Sequence, residues 1–294
     1  MIPPQFEYAA PKTLQEAVEL LSAKGESAKV LAGGQSLIPL LKLRLVSPAL
    51  LVDVGRIPGL DYIRESEGSL RLGAMVRVTS LVESSLLRTK YPVIHEAAKT
   101  IADPLIRNLG TVGGNMSHGD PSNDLPAVML ALGGELVATG PTGDRVVSAE
   151  NFFVDAFTTA LAHDEILTEV RVPVPFPRSA GAYLKVKKKV GDFATAGVAV
   201  QVTTSRASEF TKVGIGLTAV GPTAVKARKA EEALHGKKTT DLRAVSEAAA
   251  MAGEASSPTA DIRGTVEYKR SLVRLLVSRA LKISSERAEA SGAR

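Results

Sequence analysis

The sequence predicts an α+β chain: two small α/β units in series, then a domain of antiparallel sheet and helices. Three observations predict it. Short β-prone runs alternate with amphipathic helical runs through the first part of the chain. A proline-rich exit follows at Pro173, Pro175 and Pro177. Beyond it, three runs with strand character precede three helical patterns. The 294 residues also exceed what one compact core needs. The reading divides the chain into 1–56, 57–176 and 177–283, with a polar, small-residue tail at 284–294 expected to be disordered.

In the first unit, Thr13 and Glu16 form a T-x-x-E capping box, and Leu14, Ala17, Val18 and Leu21 make one apolar face. Gly25 stands where a C-terminal glycine cap belongs. Residues 28–32 read as a strand running into Gly33 and Gly34, and Ser36 as the N-cap of a second helix with Pro39 in its first turn. Residues 50–54, LLVDV, read as a buried strand.

In the second unit, a strand is expected over 69–74, a helix over 78–87 capped by Thr79 or Ser80, and a helix over 92–102. Residues 107–124 form a Gly-, Ser-, Asn- and Asp-rich stretch, long for an ordinary loop. The helix at 125–132 is apolar all round and so buried. Strands are expected at 135–139 and 166–172. In the third unit, 182–190, 194–203 and 212–220 read as a three-stranded meander, with helices near 224–235, 240–253 and 264–283.

Composition narrows the function. The chain has no cysteine, which excludes disulfides, Cys-held iron–sulfur clusters and Cys-rich zinc sites on this chain. If it handles electrons it needs an organic cofactor, and any cluster sits on a partner. Aromatics are 4% and Trp is absent, which argues against a base-stacking platform for nucleic acid. The net charge of +5 is a modest bias without a block of one sign. The N-terminus lacks the pattern of a signal peptide, and the run 37–54 is broken by Lys42, Arg44, Pro48 and Asp53, so no transmembrane segment is expected. The expected compartment is the cytoplasm.

Two short motifs carry chemistry. In Ala32-Gly33-Gly34-Gln35-Ser36, a strand meets two glycines, a polar cap and a helix. Successive N–H groups in such a turn can converge on an anion, and glycine leaves no Cβ in the way. The alternative is a plain tight turn. Gly110-Thr111-Val112-Gly113-Gly114-Asn115 has the same character. Two such turns could approach a diphosphate from two sides. No G-x-G-x-x-G, P-loop or nucleophile elbow is present. His95, His118, His163 and His235 show no metal-ligand spacing. Asp120 and Asp124 read either as turn and N-cap residues or, for Asp124, as an acceptor for cofactor hydroxyls. Lys185, Lys187 and Lys189 alternate as on one solvated strand face.

The phrases AGGQSLIPLLKLR (32–44), IRNLGTVGGN (106–115), DPSNDLPA (120–127) and GDFATAGVAV (191–200) resemble the FAD-binding medium subunit of the carbon monoxide dehydrogenase and xanthine dehydrogenase family. The resemblance covers nearly the whole chain. It implies a vanillyl-alcohol-oxidase (PCMH)-type fold, in which two α/β units clasp FAD beside a C-terminal domain. By the same resemblance, Ala32, Gly33, Gly34, Gln35, Ser36 and Leu37 line the diphosphate, and Thr111, Gly113, Gly114 and Asn115 complete the clamp. Asp124 meets the ribityl or diphosphate region, and Lys185, Asp192 and Phe193 lie near the isoalloxazine. Many relatives carry His at position 35, and some carry Tyr at 193.

The implied partners are a small subunit with two 2Fe–2S clusters and a large molybdenum–pterin subunit, as a dimer of heterotrimers, with the inner face of the membrane reached only through partners. Substrate oxidised at molybdenum would yield electrons that reach FAD through the clusters and leave to a quinone, NAD or oxygen. No residue is expected to act as general acid or base. Two other readings are a stand-alone FAD-dependent oxidoreductase of the same fold and a basic anion- or nucleic-acid-binding module, which no recognised motif supports.

Overall fold

A computed structural model describes residues 2–291. The first unit is built on β1 (Glu7–Ala9), α1 (Leu14–Lys24), β2 (Ala28–Leu31), α2 (Leu37–Lys42) and β3 (Leu50–Asp53). The strands form a parallel sheet in the order β1-β3-β2. Its core packs Ala17, Val18 and Leu21 of α1 against Leu50 and Val52. Thr13 Oγ1 accepts the Glu16 N–H (3.2 Å), and Glu16 Oε2 accepts the Lys12 N–H (2.8 Å), one residue before the position the capping box names.

The second unit holds β4 (Ile63–Ser66), β5 (Ser69–Gly73), β6 (Glu135–Gly140), β7 (Gly143–Ser148) and β10 (Ile166–Pro173) in one antiparallel sheet, order β4-β5-β10-β6-β7. Between and after them lie α3 (Val78–Glu83), α4 (Ser85–Lys90), α5 (Pro92–Thr100), α6 (Pro104–Arg107), α7 (Val112–His118), α8 (Asp124–Leu132), α9 (Ala149–Phe152) and the small hairpin β8 (Phe153–Asp155) and β9 (Thr158–Thr159). The helix expected over 78–87 is two helices. Ser84 breaks the run and caps the second helix, its hydroxyl accepting the Leu87 N–H (3.3 Å), while Arg77, and not Thr79 or Ser80, precedes the first helix with no side-chain cap bond. The stretch 107–124 contains α7, whose Gly- and Asn-rich sequence hides a helix held by its packing.

The third unit is β11 (Ser179–Val186), β12 (Ala196–Thr204), β13 (Phe210–Thr218) and β14 (Val225–Lys226), with α10 (Arg228–Leu234), α11 (Leu242–Ala255) and α12 (Val266–Ser291). The sheet has four strands, not three, because Val225–Lys226 pairs with the Gly216–Leu217 segment. The lysine reading also changes. β11 ends at Val186, so Lys187 and Lys189 lie beyond the strand.

The tail reading is corrected over 284–291, which continue α12. Ser284, Ser285 and Ala288 are buried there, so the packing of one helix face overrides the polar composition. Residues 292–294 lie outside the described residues. α8 is buried at all nine positions and packs on β13. The backbones approach closely: a Cβ on Gly214 or Gly216 would stand 1.9 Å from the carbonyl oxygen of Ala131 or Ala127.

β11 is an edge strand, and side chains cover its free edge. Glu96 of α5 accepts the Tyr183 N–H (2.9 Å) through Oε2. Arg287 donates to Gly181 O (2.8 Å) and to Glu96 Oε1 (2.7 Å). This pair takes the place of a neighbouring strand and ties α5, β11 and α12 together. Arg287→Met should therefore lower the thermal midpoint by a few degrees, on the order of 1–2 kcal/mol for half-exposed charged hydrogen bonds. A melting curve identical to wild type would show that the clasp carries no stability.

Candidate functional site

The first glycine turn leaves donors unspent. β2 stops at Leu31 and α2 starts at Leu37, with Gly34 in the left-handed region (φ 71°) between them. Ile38 N–H is the first to bond within the helix, to Gly34 O (3.0 Å). Among the described residues, no acceptor takes the backbone N–H of Gly33, Gly34, Gln35, Ser36 or Leu37. The Gln35 amide folds onto Gly33 O (3.2 Å), and the Ser36 hydroxyl makes no cap bond. These five residues are partly exposed, so water can serve the donors until an anion replaces it.

The second turn is built differently. Val112 N–H donates to Val76 O (2.9 Å), Gly113 N–H to Ala74 O (2.7 Å) and Asn115 N–H to Thr111 O (3.0 Å). Gly114 N–H is taken by Thr111 Oγ1 (3.1 Å), the helix cap. The glycine at 113 thus serves packing: a Cβ would lie 2.6 Å from that of Ala74. Of the two glycine pairs, 33–34 leaves its amides without an acceptor among the described residues, and 113–114 does not. What the second turn offers is Asn115 Oδ1, which is buried and has no partner among the described residues.

The two turns, from different units, touch. A Cβ on Gly33 would stand 2.1 Å from Leu109 O and 2.9 Å from Gly110 Cα. A Cβ on Gly114 would stand 3.8 Å from Ala32 Cβ. Five unspent amides and one buried unpaired oxygen therefore border one contact. That arrangement fits a phosphate-bearing cofactor with further hydroxyl or ring donors.

Asp124 opens α8, with Asn123 and not Asp124 as the N-cap. Its carboxylate is almost wholly inside the protein. Lys185 Nζ donates to Oδ2 (2.8 Å), and the Tyr183 hydroxyl donates to Oδ1. Lys185 also donates to Thr100 O (3.3 Å). The side chains of Lys185 and Asp124 are 3% and 5% exposed, so the reading of Lys185 as a solvated lysine is overturned. Burial pushes the Asp124 carboxyl up, against the pull of Lys185 and Tyr183, and burial with Asp124 beside it pushes the Tyr183 phenol well up. Sequence reasoning passed over Tyr183, although strand alternation places it on the Lys185 face.

Asp192 and Phe193 sit on the loop between β11 and β12. Gly191 lies near Ala102, since its Cβ would be 3.9 Å from Ala102 O. Arg263 reaches from the segment before α12 to Asp192 Oδ1 (2.8 Å) and holds that carboxyl below its ordinary value. Phe193 is 49% exposed. No sequence signal pointed to Arg263. His118 turns away from this group: its ring packs near Phe157 (5.3 Å between centroids), and burial holds its imidazole below the usual value. Asp120 closes a turn by accepting the Ser122 N–H (2.8 Å), as the turn reading has it.

Comparison with known proteins shows the family. A family profile described as the FAD binding domain in molybdopterin dehydrogenase matches residues 4–175. A second, described as the CO dehydrogenase flavoprotein C-terminal domain, matches residues 181–283. The chain is 43% identical over 281 residues to the carbon monoxide dehydrogenase medium chain of Hydrogenophaga pseudoflava, covering 96% of this chain and 97% of that one. It superposes on a chain of reconstituted CO dehydrogenase from Oligotropha carboxidovorans with a TM-score of 0.95 at 42% identity, covering 98% of this chain and 100% of that chain. For quinoline 2-oxidoreductase from Pseudomonas putida 86 the TM-score is 0.91 at 31% identity, covering 98% and 100%.

The buried pair generates a stability prediction. Asp124→Asn strands the Lys185 ammonium and should cost about 3–5 kcal/mol in denaturant unfolding. The triple replacement Asp124→Leu, Lys185→Met and Tyr183→Phe removes both charges together with the hydroxyl that would lose its acceptor, and should recover most of that loss. If the triple replacement is as unstable as the single, the pair is not the source of the cost.

Proposed function

The chain belongs to the family of FAD-binding subunits of molybdenum hydroxylases, the molybdopterin dehydrogenases, and from that premise we propose that it is the flavin station of a carbon monoxide dehydrogenase-like complex. In this reading it joins a small subunit with two 2Fe–2S clusters and a large molybdenum–pterin subunit, as a dimer of heterotrimers in the cytoplasm. When bound, FAD supplies the redox chemistry, so that electrons from the partner's clusters reach a quinone, NAD or oxygen through it. The absence of cysteine supports this division of labour, because this chain has no thiolate to hold a cluster. Similar chains occur in solved structures of CO dehydrogenase and of quinoline 2-oxidoreductase, which supports a substrate choice made on another subunit.

The chain's own residues bind and orient. One observation carries the reading: the unspent amides of Gly33–Leu37 border the contact between the two α/β units. They donate to the diphosphate, with Ala32 and the Ser36 hydroxyl beside them. Thr111, Gly113 and Gly114 hold the second turn against the first, and Asn115 Oδ1 accepts from the cofactor. Asp124 keeps lone pairs free on both oxygens for a ribityl hydroxyl. Lys185 faces the isoalloxazine, and Asp192 places Phe193 beside it. We assign no general acid or base: the chain's residues bind and orient the cofactor, and the flavin supplies the redox step.

Purified chain should retain FAD, identified after release as the dinucleotide, yet oxidise no substrate until both partners are present. Colourless protein, or turnover by the isolated chain, would overturn the reading. The site itself is tested by Asn115→Leu. That side chain donates to and accepts from no other protein group among the described residues, so folding should be unchanged. FAD affinity should fall about tenfold or more, roughly 1.5–3 kcal/mol, in a titration of stripped protein.

A further inference from the structure

Tyr183 is buried beside Asp124 and Lys185, and several features of the fold seat it. Its ring lies in the core of the second unit although its strand belongs to the third. Its hydroxyl donates to Asp124 Oδ1, the oxygen that Lys185 does not use. Space for the hydroxyl comes from Gly197, the register partner of Lys185 on β12, where a Cβ would stand 2.6 Å from the phenolic oxygen. Its backbone N–H is fixed by Glu96, which Arg287 holds in turn. The residue is thus anchored at both ends.

A phenol without a partner would be costly in this core, so the hydroxyl needs Asp124. Asp124 gains as much. With one donor on each oxygen, the carboxylate cannot rotate freely, and the Lys185 ammonium is held against Oδ2 and Thr100 O. Two of the three ammonium N–H groups are then directed by the protein, and the third has a fixed direction. A positive charge fixed in a dry site acts more strongly on a neighbouring ring system than a mobile, hydrated one.

We propose that Tyr183 is a positioning residue that, through Asp124, fixes the Lys185 ammonium and thereby sets the reduction potential of the bound flavin. The proposal rests on the reading above that Lys185 faces the isoalloxazine. Reduction adds negative charge to the ring, so a fixed cation beside it favours the reduced form and raises the potential. Loss of the phenolic hydroxyl loosens the carboxylate, weakens that bias and lowers the potential, without touching the amides that hold the diphosphate.

The test is a redox titration of the flavin in the assembled complex, followed by its absorbance, for wild type, Tyr183→Phe, Lys185→Met and the double variant. Flavin content is measured for each. Lys185→Met should shift the midpoint to a more negative value. Tyr183→Phe keeps the ring and should shift it in the same direction by less, with flavin content unchanged. The double variant should match Lys185→Met alone, because Tyr183 acts through the lysine. A wild-type midpoint in Tyr183→Phe, an additive double variant, or loss of flavin from Tyr183→Phe would each overturn the proposal. An unmoved midpoint in Lys185→Met with FAD still bound would overturn both this role and the placement of Lys185. Wild-type protein without FAD would instead strike the parent reading.

Discussion

One contact sets the site: the backbone of Gly33 lies against the backbone of Leu109 and Gly110. Any Cβ at position 33 would stand 2.1 Å from a carbonyl oxygen, well inside van der Waals contact. The core of the first unit takes in Ile57, Leu60 and Ile166 of the second, and the glycine turns add a second meeting point. Here the meeting is between main chains, which cannot yield as a flexible side chain can. The consequence is geometric. The five amides of Gly33–Leu37 are kept out of any ladder and face a border shared by both units. Half exposed, they lose little to solvation while waiting and exchange water for a charged acceptor when one arrives.

Much of this was legible in the sequence because it depends on local chemistry. The alternation of strands and helices, the Thr13 cap, the wholly apolar α8 and both glycine turns are written in neighbouring residues. What was not legible depends on partners distant in the chain. The two diglycines look alike in sequence, yet one frees its amides and the other spends them on Ala74, Val76 and Thr111. Lys185 reads as a surface lysine until Asp124, 61 positions earlier, is seen beside it. The polar residues after Ile283 read as a frayed end because their burial comes from β11 and β12, which no local pattern reports.

The same structure explains why two expensive features coexist. A buried ion pair seldom stabilises a fold relative to apolar packing, and an edge strand invites unwanted pairing. Both meet at β11. Its backbone is covered by Glu96 and Arg287, and its side chains at 183 and 185 meet at Asp124. Elements from the second and third units therefore converge on one strand, and the stability given up there secures the direction of a single charged group.

The close approach of α8 to β13 has a consequence for how the chain is made. α8 is apolar on every side, and the strand that covers it is encoded far downstream; the Thr218 hydroxyl donates to Asn123 O, 95 positions earlier. At roughly 5–20 residues per second of synthesis, the helix leaves the ribosome on the order of ten seconds before its cover. During that interval the face of α8 that β13 covers is open, while α5 and β10 can already shelter the others. The packing of the second unit is therefore completed only after β13 has emerged, so order along the chain and order in folding differ.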